Sequence, residues 1–124
     1  MTIRDIAGKY KQLVIVGCGN IGSFLLKEIQ VSDLNCEVCF CDNNEAKWGT
    51  YEGYNVLSYE NAVKQYPNAR YIIAALGFIH SMKKQLIHLG VDEKNILEEE
   101  IQDYLHELEE KYRTERKLSI TPML

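Results

Sequence analysis

Apolar and polar positions come in blocks along the chain, and the blocks read as strands separated by helices. Leu13, Val14, Ile15 and Val16 form a short unbroken apolar run that stops at Gly17, the pattern of a central parallel strand covered on both faces. Ile21, Phe24, Leu25 and Ile29 then recur at helical spacing, which predicts an amphipathic helix from Asn20 to the polar stretch at 32–35. A second strand is expected over 37–41, ended by Asp42, Asn43 and Asn44. Positions 45–53 carry Trp48, Gly49, Gly53 and alternating charge, and read as a loop before a short strand over 54–57. Ser58 is placed to cap the next helix, with Glu60 in its first turn and Pro67 beyond its end. Residues 71–76 form the second strongly buried strand. Gly77 ends it, and a helix runs on to about Leu89 with Gly90 as its C-cap. Thr2 can cap a short helix reaching Lys9 or Tyr10, and 95–97 is β-compatible.

The last block is different in kind. From 98 to 117 charges dominate, yet Leu97, Ile101, Leu105, Leu108 and Tyr112 recur at intervals of four, four, three and four. This predicts a long C-terminal helix with an apolar stripe, which suits either packing on its own sheet or a homodimer seam over 98–117. Strands alternating with helices imply an α/β fold in three layers, a parallel sheet with helices on both faces. Five strands in the order 3-2-1-4-5 are expected. The domain reading is a nucleotide-binding unit over 1–97 followed by a helix and tail over 98–124, and the closing residues read as the entry to a further segment of a larger protein.

The whole chain has 124 residues, room for one α/β domain but not for a second of ordinary size. No apolar run approaches the ~20 residues of a membrane helix. The start lacks a secretory leader, so the expected location is cytoplasmic, where four cysteines are read as reduced thiols. A net charge of −4 without a basic cluster argues against a nucleic-acid partner.

Candidate chemistry concentrates after the first strand. Gly17, Cys18, Gly19, Asn20, Ile21 and Gly22 fit G-x-G-x-x-G. The first glycine makes the tight turn, the second admits a pyrophosphate, and the third lets helix and strand pack closely. The pattern follows a buried strand and opens a helix, so a phosphate would meet backbone N–H groups and the positive end of the helix dipole. Asp42 lies 20 residues after Gly22, where an acid accepts from ribose hydroxyls. With no Arg beside it, NAD is favoured over NADP.

These residues, with 38–44, Lys47, Trp48, Gly49, 53–57 and 71–75, resemble a bacterial Rossmann-type module of surface-polysaccharide and nucleotide-sugar pathways. Similar modules stand at the N-terminus of sugar acetyltransferases of the pilin-glycan type and in nucleotide-sugar dehydratases. The resemblance implies either NAD or a UDP- or CDP-sugar as ligand, with Gly17, Gly19, Asn20, Ile21 and Gly22 at the phosphates and Asp42 with Asn43 at the nucleoside. The family often has a second acid where Asn43 stands. The β-helix repeats that carry acetyl transfer are absent, so that activity is not implied.

Other chemistry is sparse. Cys36, Cys39 and Cys41 suggest a metal until strand alternation is considered, which turns Cys36 away from the other two. Cys18 sits where a helix N-terminus can lower a thiol pKa and make a nucleophile. His80, just past the strand at 71–76, is the candidate catalytic residue, with Ser81 and Lys83 behind it. No Tyr-x-x-x-Lys pair occurs. Three functions follow: a nucleotide-binding module of surface-glycan metabolism, a non-catalytic scaffold or dimerisation domain, and part of an NAD-dependent oxidoreductase completed by another domain.

Overall fold

The computed structural model describes residues 2–8, 10–98 and 101–120, the last five of these in backbone only. The closing residues 121–124, expected to lead into a further segment, lie outside them, as does Lys9. Helix α1, Ile3–Ala7, is held by a reciprocal cap: Asp5 N–H donates to Thr2 Oγ1, and Thr2 N–H donates to Asp5 Oδ2 at 2.8 Å. It stops at Ala7, earlier than expected, because Gly8 takes a positive φ of 60°.

Strand β1, Gln12–Val16, leads into helix α2, Asn20–Val31, and back to strand β2, Glu37–Cys41, which pairs parallel with β1 from Gln12↔Glu37 to Val16↔Cys41. A single 3₁₀ turn, Glu45–Lys47, precedes strands β3, Gly49–Tyr51, and β4, Tyr54–Leu57. Helix α3, Tyr59–Gln65, is capped by Ser58, whose hydroxyl accepts from Asn61 N–H at 3.1 Å. Then come strand β5, Arg70–Ile73, helix α4, Ile79–His88, strand β6, Ile96–Leu97, and helix α5, Gln102–Ile120.

The sheet order is β3-β4-β2-β1-β5-β6, parallel except for β3 against β4. This corrects the expected five strands in the order 3-2-1-4-5. The segment read as a loop contributes an antiparallel edge strand, joined to β4 by Glu52 and Gly53, both at positive φ (50° and 86°). Positive φ at both central residues matches the right-handed twist of a two-residue hairpin. Glu is a poor sequence marker for that conformation, so the hairpin is hidden from pattern reading.

Alternation along the buried strands divides the core in two. Leu13, Ile15, Phe40 and Ile72 face α1, α2 and α5, whereas Val14, Val16, Cys41, Tyr71 and Ile73 face α3 and α4. Both faces of β1 are therefore covered, which is why it reads as a continuous apolar run. The helix expected from Glu98 begins at Gln102. Of its stripe, Ile101, Leu105 and Leu108 are buried in the cluster that holds Phe24, Leu25 and Ile29 of α2.

Candidate functional site

The C-terminal ends of β1, β2 and β5 carry the residues singled out in the sequence. From β1 the chain passes through α2 to β2 on one side, and it returns through α3 to β5 on the other side of β1. That reversal makes a crevice at the strand ends, the usual ligand position in open α/β sheets.

Each glycine of the loop has its own steric setting. Gly17 turns the chain at φ +107°, donates its N–H to Cys41 O at 2.8 Å, and lies so close to the end of β5 that a Cβ would be 3.3 Å from Ala74 O. At Gly22 a Cβ would fall 2.2 Å from Gly17 O, so α2 crosses β1 at a distance only glycine allows. Gly19 has nothing within 4 Å of a Cβ position and is exposed. It is also the N-cap of α2, with no side-chain cap and no acidic residue in the first turn. The positive end of the helix therefore has neither a side-chain cap nor a first-turn carboxylate to offset it.

Asp42 is bound into the same corner. Its Oδ2 accepts from Cys18 N–H at 2.8 Å and its Oδ1 from Asn44 N–H at 2.8 Å, while its backbone N–H donates to Leu57 O at 3.0 Å. Each carboxylate oxygen keeps a second lone pair for a hydroxyl. Trp48 indole N–H donates to Asp42 O at 2.7 Å, fixing the turn from beyond. Asn43 and Gln85 exchange amide hydrogen bonds at 3.0 and 3.1 Å, which ties the end of β2 to α4. Neither contact is visible in the sequence, since each joins residues with no local pattern between them.

The glycine loop opens on a cleft of about 470 Å³, within the range of small-molecule sites. Gly19, Asn20, Ile21 and Phe24 form one wall, Ala74 and Leu76 another, and Glu109 and Arg113 of α5 the third. The last two were missed by sequence reasoning. They follow the stripe on the helix but belong to neither motif nor cap.

His80 is exposed and outside that lining. Its Nδ1 is 3.6 Å from Oε1 of the buried Glu98, which also receives Lys83 Nζ at 3.2 Å. Lys83 makes a second ion pair with Glu93 at 3.2 Å, and the Glu93 and Glu98 carboxylates together raise its pKa. Ser81, also named in the sequence, is exposed on α4.

The cysteines are quiet. The lowered pKa that a helix N-terminus can give Cys18 is not found: burial pushes the thiol up and the Asp42 carboxylate adds to it. Cys39 is pushed up to about 12 by burial and Glu37, and burial also holds the Cys41 thiol well above its ordinary value. Among the described residues no three His, Cys, Asp or Glu side chains gather as a metal site, and no helix is long and apolar enough to cross a membrane.

Comparison with known proteins agrees in fold. The profile of the C2185-like N-terminal family matches residues 9–97. The crystal structure of UDP-D-quinovosamine 4-dehydrogenase from Vibrio fischeri is similar with a TM-score of 0.51, at 18% identity, over 67% of this chain and 75% of that one. At that identity the likeness speaks for fold. No curated protein matches the chain.

Proposed function

The chain belongs to the C2185-like N-terminal family, and on that premise we propose that it is a Rossmann-type nucleotide-binding module, serving nucleotide-sugar or NAD(H) chemistry in surface-glycan metabolism. The observation that carries the reading is the loop geometry. Gly17 and Gly22 are glycines because backbone would collide with a side chain or because φ is positive, whereas Gly19 is open, exposed and at an uncapped helix end. Two steric demands are met inside the protein, and the third is met only by a ligand. Asp42, hydrogen-bonded to Cys18 N–H inside the loop, stands beside that opening.

In this reading the pyrophosphate lies against Gly19, Asn20 and Ile21, and Asp42 with Asn43 receives the ribose and base. NAD fits the same residues. When bound it would supply hydride transfer, and this chain would hold and orient it. A 2′-phosphate beside the Asp42 carboxylate is disfavoured by charge. The neighbour in fold is by its name a dehydrogenase of a UDP-sugar, which makes UDP-sugars and NAD the first ligands to try. Calorimetric titration with NAD, NADP, UDP-sugars and CDP-sugars tests the reading. Binding of NAD or a nucleotide sugar, with NADP much weaker than NAD, is expected. If none of the four binds more tightly than about millimolar, the reading is wrong.

A further inference from the structure

We propose that Arg113 of α5 recognises the second phosphate of a nucleoside diphosphate in the glycine-loop cleft, and that Glu109 is the counter-ion it leaves to do so. This rests on the reading of the loop as a phosphate cradle. Helix α5 lies outside the span matched by the family, yet its position is fixed by α2. The rings of Phe24 and Tyr112 stack with centroids 4.8 Å apart and planes within 8°. One turn along α2, Glu28 accepts from Lys111 Nζ at 2.6 Å and from Tyr112 Oη at 3.1 Å. With Tyr112 docked on the flank of α2, the next residue is carried to the cleft, where Arg113 lines the same space as Gly19 and Asn20.

The chemistry of a diphosphate asks for such a group. The N–H groups at the start of one helix suit one phosphate, and the second needs a cation. Among the described lining residues Arg113 is the cationic one, facing the carboxylate of Glu109. It is 55% exposed and its ion pairs to Glu109 at 2.9 Å and Glu110 at 3.2 Å both run through Nη2. Exposed pairs of this kind hold weakly, and the planar fork of a guanidinium matches phosphate in two parallel bonds. A doubly charged phosphate therefore displaces Glu109, whose own charge opposes the ligand until Arg113 turns.

The test compares UMP with UDP and AMP with ADP, by calorimetry on the full chain and on Arg113→Gln, Arg113→Lys and Glu109→Gln. For whichever base binds, Arg113→Gln is expected to weaken the diphosphate about tenfold and the monophosphate less than twofold. Arg113→Lys should lie between, and Glu109→Gln should tighten the diphosphate two- to threefold. Wild-type affinity for the diphosphate in Arg113→Gln, or equal loss for both ligands, overturns the assignment while the loop stands. If the unaltered chain binds neither diphosphate but does bind NAD or a nucleotide sugar, the Arg113 assignment falls alone; if it binds none of these, the loop reading on which it rests falls with it. Both Arg113 variants should melt as the parent does, since the side chain is 55% exposed and its ion pairs among the described residues are to the surface carboxylates of Glu109 and Glu110.

Discussion

Replacing Gly22 and Gly19 by alanine separates a structural glycine from a functional one. At Gly22 the new methyl would sit 2.2 Å from Gly17 O, 3.3 Å from Gly17 C and 3.4 Å from a Phe40 ring carbon. Carbon and oxygen do not approach within about 3 Å without displacement. Because the obstacle is backbone of the turn after β1, α2 must move away from the sheet by nearly an ångström. Overpacking of this type costs about 3 kcal/mol. Alanine recovers about 1 kcal/mol of helix propensity, leaving a net loss of about 2 kcal/mol, a large part of the stability of a domain this size. The expected fall in Tm is about 8 °C, read by far-ultraviolet circular dichroism and by the urea midpoint. Gly19→Ala meets nothing within 4 Å and φ is −110°. Its weaker N-cap is offset by lower unfolded-state entropy, so Tm should move by less than about 2 °C. Binding of the nucleotide, by contrast, should be lost. If Gly22→Ala melts like the parent, the close crossing of α2 over β1 is wrong. If Gly19→Ala binds unchanged, the phosphate does not lie there.

Asp42→Asn puts an amide where two backbone N–H groups now meet a carboxylate; it should destabilise the chain by about 2 kcal/mol and weaken ribose-containing ligands, seen in parallel melts and titrations. Leu105→Ala, at a fully buried position, is expected to cost about 3 kcal/mol in urea unfolding. Sedimentation of the same variant checks the seam idea: a dimer that dissociates with stability intact would speak for a contact between copies. On the alkaline side, Cys39 titrates near 9 when unfolded and about 12 when folded, so the folded state holds its proton longer. Stability from that group is complete below pH 9 and is lost as pH rises towards 12. Tyr112, raised from 10 to about 12 by burial and Glu28, acts in the same direction. A Tm that stays level between pH 9 and 12 would contradict both. At pH 8 a thiol reagent should reach the half-buried Cys36 first, and Cys39 and Cys41 only on unfolding.

Most of the local structure was written in the chain because its causes are local. The Ser58 cap and the close approach of Gly22 to Gly17 act through neighbours a few residues away, and the buried run at 13–16 and the spacing of Asp42 from the glycines follow the recurrent pattern of one β-α-β unit. The same signals under-read the edge strand at Gly49–Tyr51, whose turn uses Glu52 at a positive φ that few sequences announce. At Cys18 the helix end is the local influence that sequence shows, and burial beside Asp42, which only the fold decides, outweighs it. The stripe on α5 was legible as a stripe, but not what it covers: periodicity gives a face, and only packing against Phe24, Leu25 and Ile29 chooses its partner. For the same reason the third wall of the cleft was out of reach. Sequence placed the glycine loop; the stacking of Tyr112 on Phe24, 88 positions apart in the chain, brought Arg113 to it. Contacts between distant segments depend on the summed shape of all the elements, and no short pattern encodes that sum.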